Sequence, residues 1–340
     1  METGLSRLFG IEKEERNLIG VLLFQSVFLG IFYGVFNITA HAIFLSRFDE
    51  TDMAKAYIIS GLTGSALTYL YSVFQARIRF SLFSILNLVF ILLVIVFLWI
   101  LIRLNPAGWV VYAIFIMLGP LFVLTMLGYW GTAGRLFTLR QGRRFFGIID
   151  VGLIAGIIIS SFSIPVLLSL NISTHDILLI SAFSILGAAI IQSVITNRQS
   201  KKLTGGKEDA QEKAGIKVFR KDKYIRTMGI FVALSVLVVF FIQYSFMAVT
   251  RARYPEENEM ARFLGFFEGS MMIFTLLIKT FIFSYLVKNH GLKVTLALSP
   301  VIIGIFSIVA VIVGTTRGFI PGTSGFMIFF LMLAISRLFS

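Results

Sequence analysis

Long apolar runs separated by short polar stretches follow one another along almost the whole chain. The hydrocarbon core of a bilayer is crossed by about 20 apolar residues of helix. Lipid offers no partner to unpaired backbone groups, so each run is predicted to be an α-helix. Boundaries placed at clusters of charge, Pro and Gly predict ten spans: 18–45, 56–76, 80–102, 108–134, 145–170, 176–195, 227–250, 260–287, 292–314 and 320–339.

The composition agrees with an all-α, polytopic membrane bundle. Of the 340 residues, 57% are hydrophobic and 14% charged, whereas soluble domains are about a quarter charged. This excludes a soluble enzyme, a nucleic-acid-binding protein and a disordered regulator. The chain has no cysteine, which excludes disulfides and thiolate metal sites.

The basic residues predict the orientation in the membrane. Connections and adjoining span ends on one side hold 22 of the 30 Lys and Arg residues, those on the other side hold 7, and Lys279 alone lies deep within a span. Basic residues mark the cytoplasmic side, so both termini are predicted to be cytoplasmic. The net charge of +13 is therefore explained by topology, without a nucleic-acid partner.

A polar stretch after the sixth span divides the chain. It contains ten Lys and Arg residues and too little apolar surface for a core. A basic cytoplasmic linker suits a transporter whose two halves rock against each other, although an ordinary solvated loop explains the charge equally well. The predicted regions are a cytoplasmic N-terminal arm (1–17), an N-terminal six-helix half (18–196), the linker (197–226) and a C-terminal half (227–340).

Two short repeats relate the halves. Residues 47–55 after span 1 resemble residues 253–262 after span 7, and Arg-Leu-Phe-Thr at 135–138 recurs as Arg-Leu-Phe-Ser at 337–340. Parallel six-span repeats are typical of the major facilitator architecture. Because two spans follow the first Arg-Leu-Phe-Thr, we expect two more helices beyond Ser340. The chain would then contain ten of twelve.

Two charged residues in span 8 are candidates for the transport path. A charge in mid-membrane costs at least ~2.5–3.5 kcal/mol, so such residues are usually functional. Glu268 and Lys279 are eleven residues apart, which in an α-helix places them on one face roughly 16 Å apart. They would face a common wet cavity. Alternatively, Lys279 extends to the inner interface and Glu268 pairs with a polar group of another helix.

The 4–5 connection is a candidate cytoplasmic gate. Asp150 lies near the start of span 5, close to four basic residues: Arg135, Arg140, Arg143 and Arg144. A gating ion pair is one interpretation, and an acid that offsets the helix dipole is the other. The arginines would also attract an anionic solute, although topology already requires positive charge there.

Several uncharged positions complete the set. Asn37, His41 and Gln243 are further path candidates. Gln25 and Gln192 are weaker ones, which would either line the path or form hydrogen bonds between helices. His41 is near the outer end of span 1, where interfacial solvation is the favoured interpretation. Three glycines of span 5 predict close helix packing, namely Gly147, Gly152 and Gly156, and Pro165 predicts a bend in the same span. No catalytic or metal-binding motif is found, so neither a metal nor a cofactor is expected.

Some of these segments resemble a known family. They are residues 131–156, with Arg-Gln-Gly-Arg-Arg-Phe-Phe-Gly at 140–147, Gln-Tyr-Ser-Phe at 243–246, Ala-Arg-Phe-Leu-Gly at 261–265, and the hairpin 288–300. They look like the corresponding regions of the ATP/ADP translocase (nucleotide transporter) family and its bacterial relatives. The resemblance implies a twelve-helix major facilitator fold, nucleotide exchange or import, and the inner membrane of a bacterium.

The leading hypothesis is a secondary active transporter, without enzymatic activity, that moves a small polar or anionic solute by alternating access. Its expected partners are the lipid bilayer and that solute, and a monomer is expected. The alternative is a membrane anchor or sensor module for a soluble C-terminal domain outside this chain.

Overall fold

The computed structural model describes residues 13–205 and 223–283, together with residues 289, 305, 308, 309 and 312. All regular secondary structure in this part of the chain is helical. The α-helices of this part are α1 (Lys13–Leu45), α2 (Glu50–Gln75), α3 (Phe80–Leu104), α4 (Gly108–Leu136), α5 (Leu139–Ser169), α6 (Thr174–Gly205), α7 (Lys223–Arg253) and α8 (Glu257–Leu277). A π-helical turn, Ile278–Phe283, directly follows α8.

The helices coincide with the first eight predicted spans. Seven of them, all except α2, are long and apolar enough to cross a membrane. The exception is rich in Ser, Thr and Gly, which lowers its hydropathy. Predicted span 10 lies outside the described residues, as does span 9 apart from four positions.

The predicted linker is partly helical. Within the predicted linker, residues 197–226, α6 continues to Gly205 and α7 begins at Lys223. The helix changes direction at Gln199, whose backbone angles of φ −118° and ψ 21° lie outside the helical range. Polar residues can continue a helix into water because its backbone groups bond one another within the segment. Residues 206–222 are outside the described part.

The described residues belong to two compact units. One contains residues 13–205 and 255–276, and the other contains residues 223–254 and 277–283. The division differs from the predicted halves because α8 belongs with α1–α6. In the second unit, α7 is exposed along most of its length.

Helix packing in the first six helices follows an internal symmetry. The main packed pairs are α1 with α5, α1 with α6, α2 with α4, α3 with α4, α3 with α6, and α1 with α4. Exchanging α1–α3 with α4–α6 converts each of these pairs into itself or into another of the set. Such a pattern is that of three helices followed by a related set of three.

Glycines allow α1 and α5 to approach closely. A Cβ at Gly156 would collide with the carbonyl oxygen of Val27, and one at Gly152 would lie 2.6 Å from the carbonyl oxygen of Leu23. Gly147, which we grouped with these two, differs: it is exposed and a Cβ there would meet nothing within 4 Å. It precedes Gly152 by five residues, a rotation of about 140° around the helix.

Both ends of α5 are defined by specific local structure. At its start, Thr138 and Gln141 form a capping box, which satisfies two backbone N–H groups. At its end, Asn171 adopts a positive φ of 60°, and the Ile172 amide donates to the Leu167 carbonyl at 3.2 Å. This is the geometry of a Schellman motif.

Candidate functional site

One face of α8 is buried and carries a charged residue. Its buried positions recur at helical spacing and are Met260, Ala261, Leu264, Gly265, Glu268 and Gly269. Glu268 is only 6% exposed. Burial of an acid on a membrane helix requires compensating interactions, so this face is the first place to look for function.

The same face of α8 meets α5 at a close crossing. A Cβ at Gly265 would lie 2.7 Å from the carbonyl oxygen of Ser161 and 2.9 Å from Cδ of Pro165. One turn later, a Cβ at Gly269 would lie 2.7 Å from the ring of Phe162. Only glycine fits at both positions without a shift of the neighbouring helix. Glu268 is therefore held at a helix contact that its own neighbours in sequence create.

Ser161 brings oxygen atoms with spare hydrogen-bonding capacity to this crossing. Its side chain is fully buried, and its Oγ has no hydrogen-bond partner among the described residues. Its carbonyl oxygen lacks the usual helical donor, because position 165 is a proline inside α5 and proline has no backbone N–H. The crossing thus combines a buried acid, a hydroxyl and a backbone carbonyl.

A polar cluster joins the starts of α6 and α8. The Thr174 hydroxyl donates to Asn258 Oδ1 at 2.9 Å. Beside it, His175 Nε2 lies 3.6 Å from Glu257 Oε1, which is an ion-pair distance but too long for a hydrogen bond. We call these four residues the α6–α8 cluster. This cluster was not predictable from the sequence, since nothing in the spacing of residues 84 positions apart indicates that they meet.

An ion pair extends this polar region to α3. Arg103 Nε lies 3.4 Å from Asp176 Oδ1, and both side chains are substantially exposed. An exposed pair of this kind contributes little to stability. The pair places two more charged groups beside the α6–α8 cluster.

The path candidates of α1 are buried. His41 is 2% exposed, so the interfacial solvation that we predicted for it is wrong. Its Nδ1 lies 2.8 Å from the Asn37 carbonyl oxygen and its Nε2 lies 3.1 Å from the Tyr57 hydroxyl. A carbonyl only accepts, so Nδ1 is the donor nitrogen. Asn37 itself is 7% exposed.

A buried amide pair, nearer the N-terminus of α1 than His41, joins four helices. Gln25 Nε2 of α1 donates to Gln192 Oε1 of α6 at 2.9 Å. Gln192 Nε2 in turn donates to the hydroxyls of Ser84 on α3 and Thr132 on α4, at 2.9 and 3.2 Å. Of the two roles considered for the glutamines, the geometry is that of interhelical joints. Ser84 and Thr132 gave no signal in the sequence because small hydroxyl residues are common in apolar helices.

The predicted cytoplasmic gate contains one well-placed arginine. The guanidinium of Arg135 lies 3.6 Å from the ring centroid of Phe80 and donates to the Gly131 carbonyl at 3.1 Å. Arg135 forms no ion pair within the described part of the chain. Asp150 is half-buried and Arg140 is exposed, whereas the side chains of Arg143 and Arg144 lie outside the described residues.

The remaining path candidates belong to the second unit. Gln243 is half-buried on α7, and Lys279 is exposed. The predicted common face of Glu268 and Lys279 assumed one α-helix over 260–287. The α-helix ends at Leu277, and Lys279 lies in the π-helical turn, so the spacing rule for an α-helix does not apply to them.

These features define a class of protein: a multi-pass, helical membrane protein with polar and charged residues buried between its helices. The chain matches the family model "TLC ATP/ADP transporter" over residues 84–336, about three quarters of its length. It therefore belongs to the TLC ATP/ADP transporter family, and the resemblance to nucleotide transporters is confirmed. A comparison with curated proteins found no match.

Proposed function

We propose that this membrane transporter is a secondary active carrier of a small polar or anionic solute, of nucleotide type, that works by alternating access. The supporting observation is the contact that α8, from the second half of the sequence, makes with α5 and α6 of the first half. In alternating access one half rocks against the other around a central site, and such contacts must form and separate in each cycle.

Two further observations support this proposal. The exchange symmetry in the packing of α1–α6 is the arrangement expected for one half of a major facilitator transporter. Arg135 offers a half-buried positive charge whose described partners are an aromatic ring and a carbonyl. Such a guanidinium retains donors for the phosphates of an anionic solute.

We also propose the orientation and location predicted from the sequence. Both termini would face the cytoplasm of a bacterium, and the chain would lie in its inner membrane. The α6–α8 cluster would then lie at the outer end of the bundle, and Arg135 near the inner end.

A disulfide across the α6–α8 cluster tests alternating access. The chain has no cysteine of its own, so Thr174→Cys with Asn258→Cys creates the only possible disulfide. The purified double variant would be reconstituted into liposomes, and uptake of labelled ATP, ADP and other small anions would be measured. We expect uptake to fall when the disulfide forms and to return after reduction.

Each single-cysteine variant serves as the control, because it carries the same substitution but cannot crosslink within the chain. Gel mobility gives the crosslinked fraction. Unchanged uptake by fully crosslinked protein would overturn the alternating-access proposal. Failure of the uncrosslinked protein to move any nucleotide or other small anion would overturn the proposed substrate class.

A further inference from the structure

The α5–α8 crossing assembles oxygen ligands at membrane depth. A Cβ at Gly265 would lie 2.7 Å from the Ser161 carbonyl oxygen, and the Ser161 hydroxyl is fully buried without a described partner. Glu268 follows Gly265 by three residues on the same buried face. Side chains on a helix lean toward its N-terminus and cover the preceding turn. The Glu268 carboxylate is therefore directed toward the level of Gly265 and Ser161.

The chemistry of this set is that of a site for a hard cation. Carboxylate, hydroxyl and carbonyl oxygens are all acceptors, and hard cations prefer oxygen ligands. Transporters commonly use carbonyls freed from helical hydrogen bonding to hold sodium or protons at membrane depth. Pro165 produces such a carbonyl at Ser161. Among the described residues, no three or more His, Cys, Asp or Glu side chains lie close enough together to hold a metal ion. A divalent transition-metal site therefore does not fit this crossing.

We propose that Glu268 and Ser161 form a binding site for a small monovalent cation, a proton or a sodium ion. The site joins α8 of one sequence half to α5 of the other. Occupancy would thus favour the conformation in which the two helices are in contact, and the cation would be coupled to the transport cycle. This inference rests on the proposed transport function.

A binding experiment tests the site without any transport assay. The melting temperature of the purified protein in detergent would be measured against increasing NaCl, with choline chloride maintaining the ionic strength. If sodium is the ligand, Tm should rise to a plateau, because a ligand that binds only the folded state stabilises it. Glu268→Gln and Ser161→Ala should abolish or strongly reduce the rise.

Matched variants distinguish ligand loss from general damage. Glu259→Gln removes an exposed acid from the same helix. Ser163→Ala removes a hydroxyl of α5 that is already bonded to the Ile159 carbonyl. Both should retain the sodium response. Pro165→Ala supplies an N–H to the Ser161 carbonyl and should weaken the response without removing any oxygen ligand.

Transport in liposomes separates the two cations. A sodium gradient at constant pH should accelerate solute uptake if the ligand is sodium, and a pH gradient without sodium should do so if it is a proton. The acceleration should disappear in Glu268→Gln. The inference is overturned if neither gradient affects wild-type uptake and sodium does not change Tm, or if Glu268→Gln keeps the gradient response. Uptake that persists without gradients would still support the proposed transporter.

Discussion

Met53 and Met260 occupy equivalent places at the starts of two helices. The Met53 amide donates to the Asp49 carbonyl at 3.1 Å, and the Met260 amide donates to the Glu256 carbonyl at 2.9 Å. Both side chains are fully buried. The two helices thus begin with the same geometry after α1 and after α7, although the second copy contains an extra proline before it.

This equivalence supports the six-plus-six repeat more strongly than sequence similarity alone. In both copies an acidic residue precedes the helix, and the methionine four residues later is buried at the first turn. The first copy adds a local ion pair: Lys55 Nζ lies 2.9 Å from Asp52 Oδ1. This hydrogen bond lowers the pKa of the Asp52 carboxyl and raises the pKa of Lys55.

Replacement of Gly156 should destabilise the first unit. A Cβ at this position collides with the Val27 carbonyl, so Gly156→Ala must push α1 and α5 apart. Overpacking of this kind costs about 1–3 kcal/mol. Thermal unfolding in detergent would measure the loss. Gly147→Ala is the control in the same helix, because a Cβ there meets nothing; equal melting temperatures for the two variants would contradict the described crossing.

Loss of the Gln192 amide should also destabilise the helix bundle. Gln192→Leu keeps a similar volume but removes the donors to Ser84 and Thr132 and the acceptor for Gln25. Leaving a buried polar group without a partner costs about 1–3 kcal/mol. The melting temperature should fall clearly. Ser193→Ala, which removes a hydroxyl bonded within α6, should change it little, and a reversed order would argue against the amide joint.

Asn171 should be sensitive to alanine but not to glycine. Its φ of 60° costs an ordinary L-residue about 1–2 kcal/mol. We therefore expect Asn171→Ala to lower the melting temperature and Asn171→Gly to maintain or raise it. If alanine proved as stable as glycine, α5 would not end in the left-handed conformation described.

The hydrophobic pattern was sufficient to locate the helices but not to predict which face of each helix is buried in the protein. Eight predicted spans correspond to helices, and seven of these helices are long and apolar enough to cross a membrane, which is what the prediction looked for. The same apolarity hides which face is buried, since lipid and protein are both apolar surroundings. His41 was therefore assigned to the interface although it contacts Tyr57 inside the bundle.

The candidate site was only partly predictable for a related reason. A charge in a span is unusual by itself, so Glu268 was recognised as a candidate. The α5 residues that meet Gly265, on the same face of α8 as Glu268, are Ser161 and Pro165, which lie about 100 residues earlier in the chain, and residue type alone does not connect them to this face. The π-helical turn after Leu277 also had no sequence signal, and the α-helical spacing that was assumed for Glu268 and Lys279 ends there.

Pro165 has a mechanical consequence besides the carbonyl it frees. A helix that lacks one backbone hydrogen bond bends there more easily than elsewhere. Glycine contacts join α5 to α1 as far as Ser160, whereas Ser161, Phe162 and Pro165 touch α8. We therefore expect a tilt of α8 to bend the C-terminal third of α5 while the rest of that helix stays with α1. The part of the first half that moves with α8 would then be separated from the rest at a point inside helix α5 rather than in a loop.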